Sequence, residues 1–194
     1  NRFVWDMRYP TMPGVPDAYY ECSFKGHKAS PGKYTFHLKS GDKQVSTSAE
    51  ILSNPLYNKD LSNYKAYHDI MWQMEAAFTQ MHQMVNSIFA KREQLSELLK
   101  AIPTDNKFKA VQTEGAALVQ KMKAWDEEMV QRKSKAYDDV ENFPNKFTAH
   151  YIFLINQTES DIPVVNQPSL DRKKELDAEW AALKTKATEI LDKD

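Results

Sequence analysis

The chain has 194 residues, which is enough for one good hydrophobic core or two small ones. Its 26 basic and 27 acidic side chains leave a net charge of -1, so it has no general electrostatic field for nucleic acid or an anionic membrane. Cys22 is the single cysteine, which excludes a disulfide within the chain and a cysteine zinc site. No apolar run approaches the ~20 residues of a membrane span. The sequence begins at Asn1 without a signal peptide, so we expect a mature product or a piece of a longer protein.

The residue pattern changes near residue 54, and the first part is typical of short strands. Four of the five glycines precede that point, which separates a turn-rich part from a long periodic one. Residues 2–9 alternate Phe3, Trp5, Met7 and Tyr9 with mostly polar neighbours, which predicts a strand. We expect further strands at 19–24, 33–39 and 44–52, the last two joined by a turn at 40–43. Four short strands make a thin core, so we infer that others lie upstream.

The second part predicts a helical bundle. A heptad stripe, with a flanking apolar column, predicts one unbroken helix of about 40 residues capped by Asp60 or Ser62 and ended by Pro103. The stripe consists of Tyr64, Tyr67, Met71, Met74, Phe78, Met81, Val85, Ile88, Leu95, Leu99 and Ile102. We expect helices at about 62–102, 106–140, 145–159 and 169–192. Because the two short helices together match one long helix in length, we expect a three-layer antiparallel arrangement.

The predicted fold class is therefore α+β with separate parts. A small antiparallel β unit occupies residues 1–54, and a long antiparallel bundle of three to four helices occupies residues 55–194. The face containing Trp5 is too broad to stay bare, so we expect the bundle or a second copy of the chain to cover it, giving a homo-oligomer through the β unit in the second case. We also expect Trp72, one position past the core column, to pack against another layer.

Four segments carry a resemblance to a known family. NRFVWDMRYP, GHKASPGKYTFHL and ILSNPLYN are similar to the C-terminal region of exported bacterial proteins with Asp-box (BNR) propeller repeats, described as glycosyl hydrolase or sortilin-like proteins. NFPNKF resembles part of the helical segment that closes those proteins. The resemblance implies a partial immunoglobulin-like β unit, an upstream propeller domain as partner, and export from the cell. It implies no active site, because the matching motifs are structural.

No residue pattern identifies a chemistry. Two clusters of acidic residues, at 126–128 and 138–141, each place several carboxylates close together in sequence. Glycoside hydrolysis needs such a pair, but we interpret both clusters as solvated helix faces. The five histidines show no short metal-ligand spacing, and there is no phosphate-cradling or nucleophile motif. We therefore predict no catalytic, cofactor or metal residues, and no enzyme activity in this chain.

Two functional interpretations remain open. The first is a non-catalytic accessory region that acts as an interaction or spacer module. The second is a carbohydrate-binding module that contacts a glycan through a surface aromatic of the β unit, either Tyr19 or Tyr20, because one of two consecutive tyrosines in a strand faces outward.

Overall fold

The computed structural model describes residues 2–57 and 60–192, so both chain ends and Asn58, the last residue of the ILSNPLYN segment, lie outside the described residues. A two-stranded antiparallel sheet is followed by a long helical region, which confirms the α+β class with separate parts. The elements are β1 (Gly32–Ser40), β2 (Lys43–Ile51), α1 (Leu61–Ala101), α2 (Lys109–Met129), α3 (Asp139–Asn142), α4 (Phe147–Glu159) and α5 (Gln167–Leu191). A 3₁₀ turn, Asn106–Phe108, leads into α2.

The hairpin of β1 and β2 has the expected register and turn. Tyr34 lies opposite Ala49 and Leu38 lies opposite Val45. Gly41 has a φ of 58°, the left-handed conformation that glycine adopts at no steric cost, and it closes the hairpin. The outer end of this apolar face, at Leu38 and Val45, is exposed.

The two other predicted strands are absent, so the prediction of four strands was wrong. Residues 2–9 form one isolated bridge, from Arg8 to Lys28, and no strand. Met7 has a φ of 58°, which breaks an extended conformation. Residues 19–24 are irregular as well. Both segments form their hydrogen bonds to neighbouring loops and to the bundle, and these bonds replace a sheet ladder.

Helix α1 follows the sequence prediction closely. The side chain of Asp60 accepts a hydrogen bond from the backbone N–H of Ser62 at 2.9 Å, so Asp60 is the N-cap. The helix runs unbroken to Ala101, before Pro103. The stripe from Tyr64 to Ile88 is buried at every predicted position, whereas Leu95, Leu99 and Ile102 are only half-buried.

Helix α2 ends at Met129, about eleven residues before the expected end. Val130 turns to an extended conformation, and Arg132 returns to the buried carboxylate of Asp126 through two hydrogen bonds of 2.6 Å. The hydroxyl of Thr148 donates to the carbonyl of Met129 at 2.7 Å, so a side chain of α4 provides the hydrogen bond that this carbonyl lacks at the end of α2. Tertiary contacts therefore override the helical periodicity of residues 130–140.

The two short helices lie side by side and not end to end, which corrects the expected third layer. Phe147 of α4 stacks on Trp180 of α5, and the hydroxyl of Tyr151 donates to Asp177 at 2.7 Å, so the two helices are antiparallel. The indole of Trp125 donates to the carbonyl of Leu183 at 2.8 Å and joins α5 to α2. Because α4 and α5 are adjacent, they cover only the part of the α1–α2 hairpin that is remote from its turn.

The N-terminal segment packs on the bundle. Met12 and Val15 belong to the buried core, and Met12 N–H donates to the carbonyl of Phe24 at 2.8 Å. Gly26 lies against the carbonyls of Tyr9 and Pro10, where an added Cβ would approach to 2.6 Å. Only glycine fits at this crossing.

Trp5 is covered by the hairpin. Its ring lies 5.2 Å from Tyr34 and 5.5 Å from Phe36, centroid to centroid. The hairpin and not the bundle provides this cover, so the expectation that the bundle covers the ring was wrong, while association of the face with a second copy of the chain stays a prediction. Phe3 and Val4 of the same segment remain exposed.

We predict that Phe78→Ala destabilises the protein by about 3–5 kcal/mol, because it leaves a cavity in the fully buried stripe of α1. The same substitution at Phe153, which is 58% exposed on α4, provides a matched control and should change the free energy of unfolding by less than about 0.5 kcal/mol. Urea unfolding followed by circular dichroism measures both. Equal losses in the two variants would contradict the assignment of the core to this stripe.

Candidate functional site

A buried chain of polar side chains joins the N-terminal segment to α1. Glu75, on α1, accepts the backbone N–H of His27 at 2.6 Å, and both carboxylate oxygens lie 3.0 Å from Nδ1 of the same histidine. Nε2 of His27 lies 2.8 Å from Nδ1 of His68. We call these three residues the Glu–His–His chain. His27 is fully buried, Glu75 is buried, and His68 is half-buried.

The geometry of the Glu–His–His chain fixes the orientation of the rings. With a proton on Nδ1, His27 donates to Glu75, and its Nε2 accepts from Nδ1–H of a neutral His68. Burial lowers the pKa of His68, and the neighbouring His27 lowers it further. Both ring nitrogens of His27 have hydrogen-bond partners, so the arrangement holds this ring in one orientation.

Aromatic rings enclose the Glu–His–His chain. Tyr9 stacks on His27 with centroids 4.4 Å apart and contacts Trp72 edge-on at 5.7 Å. The hydroxyl of Tyr67 donates to the carbonyl of Glu159, and burial raises the pKa of this tyrosine. Arg8 pairs with Glu159 at 2.7 Å, which fastens the N-terminal segment to the end of α4. Together these contacts form a polar network that attaches the N-terminal segment to the helical bundle, which is a structural role.

Trp72 borders an open cleft. The cleft is also lined by Tyr9, Pro10, Glu75, Ala76 and Thr79, and the volume of the cleft is about 380 Å³. Trp72 is 52% exposed, so the expectation that another layer buries it was wrong. Among the aromatic rings of the described residues, Trp72 contacts the edge of Tyr9 and the ring of His68 and no other. An exposed indole beside a small cleft is a suitable surface for an apolar face of a ligand.

The two tyrosines predicted to contact carbohydrate lie elsewhere. Tyr20 is half-buried against Phe24 and His82, and its hydroxyl hydrogen-bonds to Thr148 at 2.9 Å. Burial raises its pKa to about 12. Tyr19 is half-exposed in the irregular segment, where its backbone N–H donates to the carbonyl of Ser134. The structure does not bring either ring to the cleft beside Trp72, and their contact with a glycan stays a prediction.

The acidic residues of α2 do not form one solvated face. Asp126 is buried and pairs with Arg132, whose guanidinium also lies 4.2 Å from the ring centroid of Phe89. Glu127 and Glu128 are exposed, and Glu128 pairs with Lys186 of α5 at 2.9 Å. The interpretation of residues 126–128 as a solvated face was therefore wrong for Asp126.

His82 is a second buried histidine that the sequence interpretation missed. It is surrounded by Tyr20, Phe24 and Phe78, and its Nδ1 donates to the carbonyl of Pro13 at 2.8 Å. Nε2 has no hydrogen-bond partner among the described residues. Burial lowers the pKa of His82 to about 4, so the folded protein holds the neutral ring.

A large concave surface lies at the turn of the α1–α2 hairpin. We call it the tip groove; it has a volume of about 1040 Å³. Its apolar lining includes Leu95, Leu98, Leu99, Ile102, Phe108, Val111 and Leu118. Leu98 is 63% exposed and Val111 is 53% exposed, so the heptad stripe of α1 continues here without a third or fourth helix.

The described residues contain no group of three or more His, Cys, Asp and Glu side chains arranged to hold a metal ion. Among the same residues, none of the helices combines the length and apolar character needed to cross a bilayer. No protein-family model matches the sequence, and comparisons with curated proteins and with solved structures find no significant match.

We predict that Glu75→Ala destabilises the protein by about 3 kcal/mol, because two buried donors of His27 lose their acceptor. Glu93→Ala is the control, since Glu93 is exposed and pairs with Arg92 on the surface, and it should change stability little. Denaturant unfolding at pH 7 compares the two. A loss below about 1 kcal/mol for Glu75→Ala would argue against a stabilising Glu–His–His chain.

The lowered pKa of His82 predicts that the free energy of unfolding decreases as the pH is lowered. Because its folded pKa of about 4 lies below the ordinary value of 6.5, the unfolded chain binds more protons between these values. The free energy of unfolding should therefore be largest above pH 6.5 and fall by up to about 3 kcal/mol as the pH approaches 4. His68, whose pKa is also lowered, adds to the same slope.

The His82→Phe variant should show a shallower dependence on pH than the original chain, whatever its stability at pH 7. His150→Gln, at an exposed position of α4, is the control and should keep the original slope. Urea unfolding at several pH values between 7.5 and 4.5 gives the slopes. Identical slopes for His82→Phe and the original chain would contradict the burial argument.

Proposed function

We propose that this chain is a non-catalytic interaction and spacer region at the C-terminal end of an exported glycosyl hydrolase that carries a β-propeller. The observation that supports it most is the tip groove, because an uncovered apolar surface at the end of a long stiff hairpin is typical of a protein contact site. The resemblance of residues 1–10, 26–38, 51–58 and 142–147 supports the parent protein and its export.

The use of the charged residues also supports a non-catalytic role. Glycoside hydrolysis requires two carboxylates about 5–10 Å apart across a sugar-sized cleft. The cleft beside Trp72 is lined by a single carboxylate, Glu75, within the described residues, and that carboxylate is engaged with His27. Asp126 is likewise engaged with Arg132.

The proposal is tested with the protein encoded directly upstream of Asn1. We expect Asp-box repeats in that sequence and a stable complex between the propeller and this chain in size-exclusion chromatography. An upstream sequence without such repeats would contradict the parent assignment. Hydrolysis of an aryl glycoside by the purified chain, lost in Glu75→Gln, would contradict the non-catalytic role.

Carbohydrate binding is the second candidate function, and the exposed ring of Trp72 favours it. A half-exposed indole, flanked by Tyr9, can stack on the apolar face of a sugar ring, and the cleft has room for about one or two sugar units. This position differs from Tyr19 and Tyr20, so variants of the three aromatics distinguish the sites.

If the chain binds a glycan at this cleft, Trp72→Ala should weaken binding at least about tenfold, because stacking of the apolar face of a sugar on the indole contributes about 1–3 kcal/mol. Tyr137→Ala, at an exposed aromatic remote from the cleft, is the control. A glycan array followed by titration calorimetry measures both. Binding lost in Tyr19→Ala and kept in Trp72→Ala would assign the site to the irregular segment instead.

A further inference from the structure

Part of the N-terminal segment forms a flap over His82. The backbone N–H of Met12 donates to the carbonyl of Phe24 at 2.8 Å, which brings the two ends of residues 12–24 together. We call these residues the flap. The rings of Tyr20 and Phe24 lie 5.5 Å and 5.9 Å from the ring of His82, centroid to centroid. The flap and the bundle together bury this histidine completely.

The base of the flap is firmly attached to the bundle. His27, three residues after the flap, bonds through its backbone N–H and its ring to the buried carboxylate of Glu75. Arg8, four residues before the flap, pairs with Glu159 at 2.7 Å. These contacts keep the two ends of the flap in place when its outer part moves.

The outer part of the flap is attached largely through exposed backbone groups. These groups bond to side chains of α1, of α4 and of the loop after α2, and they belong to Gly14, Asp17 and Ser23. In addition, the hydroxyl of Tyr20 bonds to Thr148 at 2.9 Å, and the N–H of Tyr19 donates to the carbonyl of Ser134 at 3.3 Å. Because water can replace the exposed bonds at little cost, the outer part of the flap can open locally.

His82 has one polar partner in this enclosure. Its Nδ1 donates to the carbonyl of Pro13, and its Nε2 has no hydrogen-bond partner among the described residues. The surrounding rings belong to Tyr20, Phe24 and Phe78. A proton on Nε2 would therefore place a full charge among aromatic rings without an acceptor, which is costly in a buried site.

The flap provides no counter-charge for a protonated His82. Its buried titratable groups are the hydroxyl of Tyr20 and the thiol of Cys22, and burial raises the pKa of both, so they stay neutral in acid. The carboxylates of Asp17 and Glu21 are exposed on the outer surface of the flap.

The titratable groups on the surrounding helices are engaged with other partners. They are Glu75, Asp126 and Tyr151, which bond to His27, Arg132 and Asp177. Within the described part of the chain, no ion pair includes His82. A charged His82 ring must therefore reach water, and the flap is the part of its cover that has an exposed, replaceable attachment.

We propose that the flap is an acid-opened cover, whose outer part moves away from α1 about its base when His82 takes up a proton. At neutral pH the burial of Met12 and Val15 keeps the flap closed. Opening gives the ring of His82 access to water and uncovers the side of α1 around Phe78, while the helices stay folded. This switch is independent of the tip groove and of the parent protein.

The direction of the pH effect follows from burial. The closed flap lowers the pKa of His82 to about 4, whereas a ring in water has the ordinary value of 6.5. Between these values the open form binds more protons, so acid favours it. From pH 7.5 to pH 4.5 the ratio of open to closed flap should rise at least about tenfold.

Cys22, the single cysteine of the chain, lies in the flap and reports its opening. The measurement is the rate at which its thiol reacts with a dithiodipyridine, a reagent that reacts with thiols in weak acid. This rate is divided by the rate for the urea-unfolded chain at the same pH, and circular dichroism follows the helices. We expect the normalised rate to rise at least about tenfold from pH 7.5 to pH 4.5 with unchanged circular dichroism. A constant normalised rate, or a rise that accompanies loss of helix, would overturn the inference.

Two variants remove the titrating ring. In His82→Phe and in His82→Gln the normalised rate should change less than about threefold over the same pH range, because neither side chain takes up a proton. His82→Gln retains a donor for the carbonyl of Pro13 and decides the outcome if the apolar variant loses its helices at pH 7.5. A full rise in a folded variant at this position would overturn the inference.

Two controls locate the response. His150→Gln, at an exposed position of α4, should keep the full rise. His68→Gln, which removes a titrating ring near the base of the flap, should keep it as well. A rise that is lost in His68→Gln and kept in His82→Phe would overturn the inference and would assign the acid response to the Glu–His–His chain.

Discussion

The structure depends on a difference in length between α1 and the helices that cover it. The apolar stripe of α1 runs from Tyr64 to Ile102, and burying it requires neighbours along its full length. Helix α2 accompanies it from the turn of the hairpin as far as Met129, while α4 and α5 pair side by side near the base. The base is therefore a complete bundle and the tip is a two-helix layer. The burial of Met71 to Ile88 and the half-burial of Leu95 and Leu99 follow directly from this difference.

Polar contacts attach the irregular N-terminal segment to that bundle. The segment has no sheet to satisfy its backbone, so its groups bond to side chains and carbonyls of the helices. Glu75 accepts two donors of His27, Thr148 bridges Tyr20 and Met129, and Arg8 pairs with Glu159. Because these partners are buried or half-buried, their loss costs more than the loss of a surface pair. The segment is therefore a tightly bound part of the helical core.

The sequence predicts the regular elements well and the irregular ones poorly. The heptad stripe gives α1 to within one residue at each end, and the 40–43 turn gives the hairpin, because both depend on local patterns. Residues 2–9 alternate as a strand would, but no neighbouring strand is available to pair with them. Residues 130–140 continue the helical period, but the Asp126–Arg132 pair and Thr148 end α2 earlier. The Glu–His–His chain joins residues 41 and 48 positions apart, which no spacing rule detects. The placement of Glu75 between Met74 and Phe78 on the apolar side of α1 was the available signal, since a buried carboxylate requires a partner.

The unbroken course of α1 also determines what the tip can do. Glu75 and Leu98 lie on one helix about 35 Å apart at 1.5 Å per residue. Between them the helix contains no proline or glycine, and its inner face is held by Phe78, Met81 and Val85. A kink would have to disturb this packed core, so the distance between the N-terminal segment and the tip is fixed by the core itself. Any chain held at the tip groove is therefore kept at a constant separation from the N-terminal segment, which is the physical requirement for a spacer and which a flexible linker would not meet.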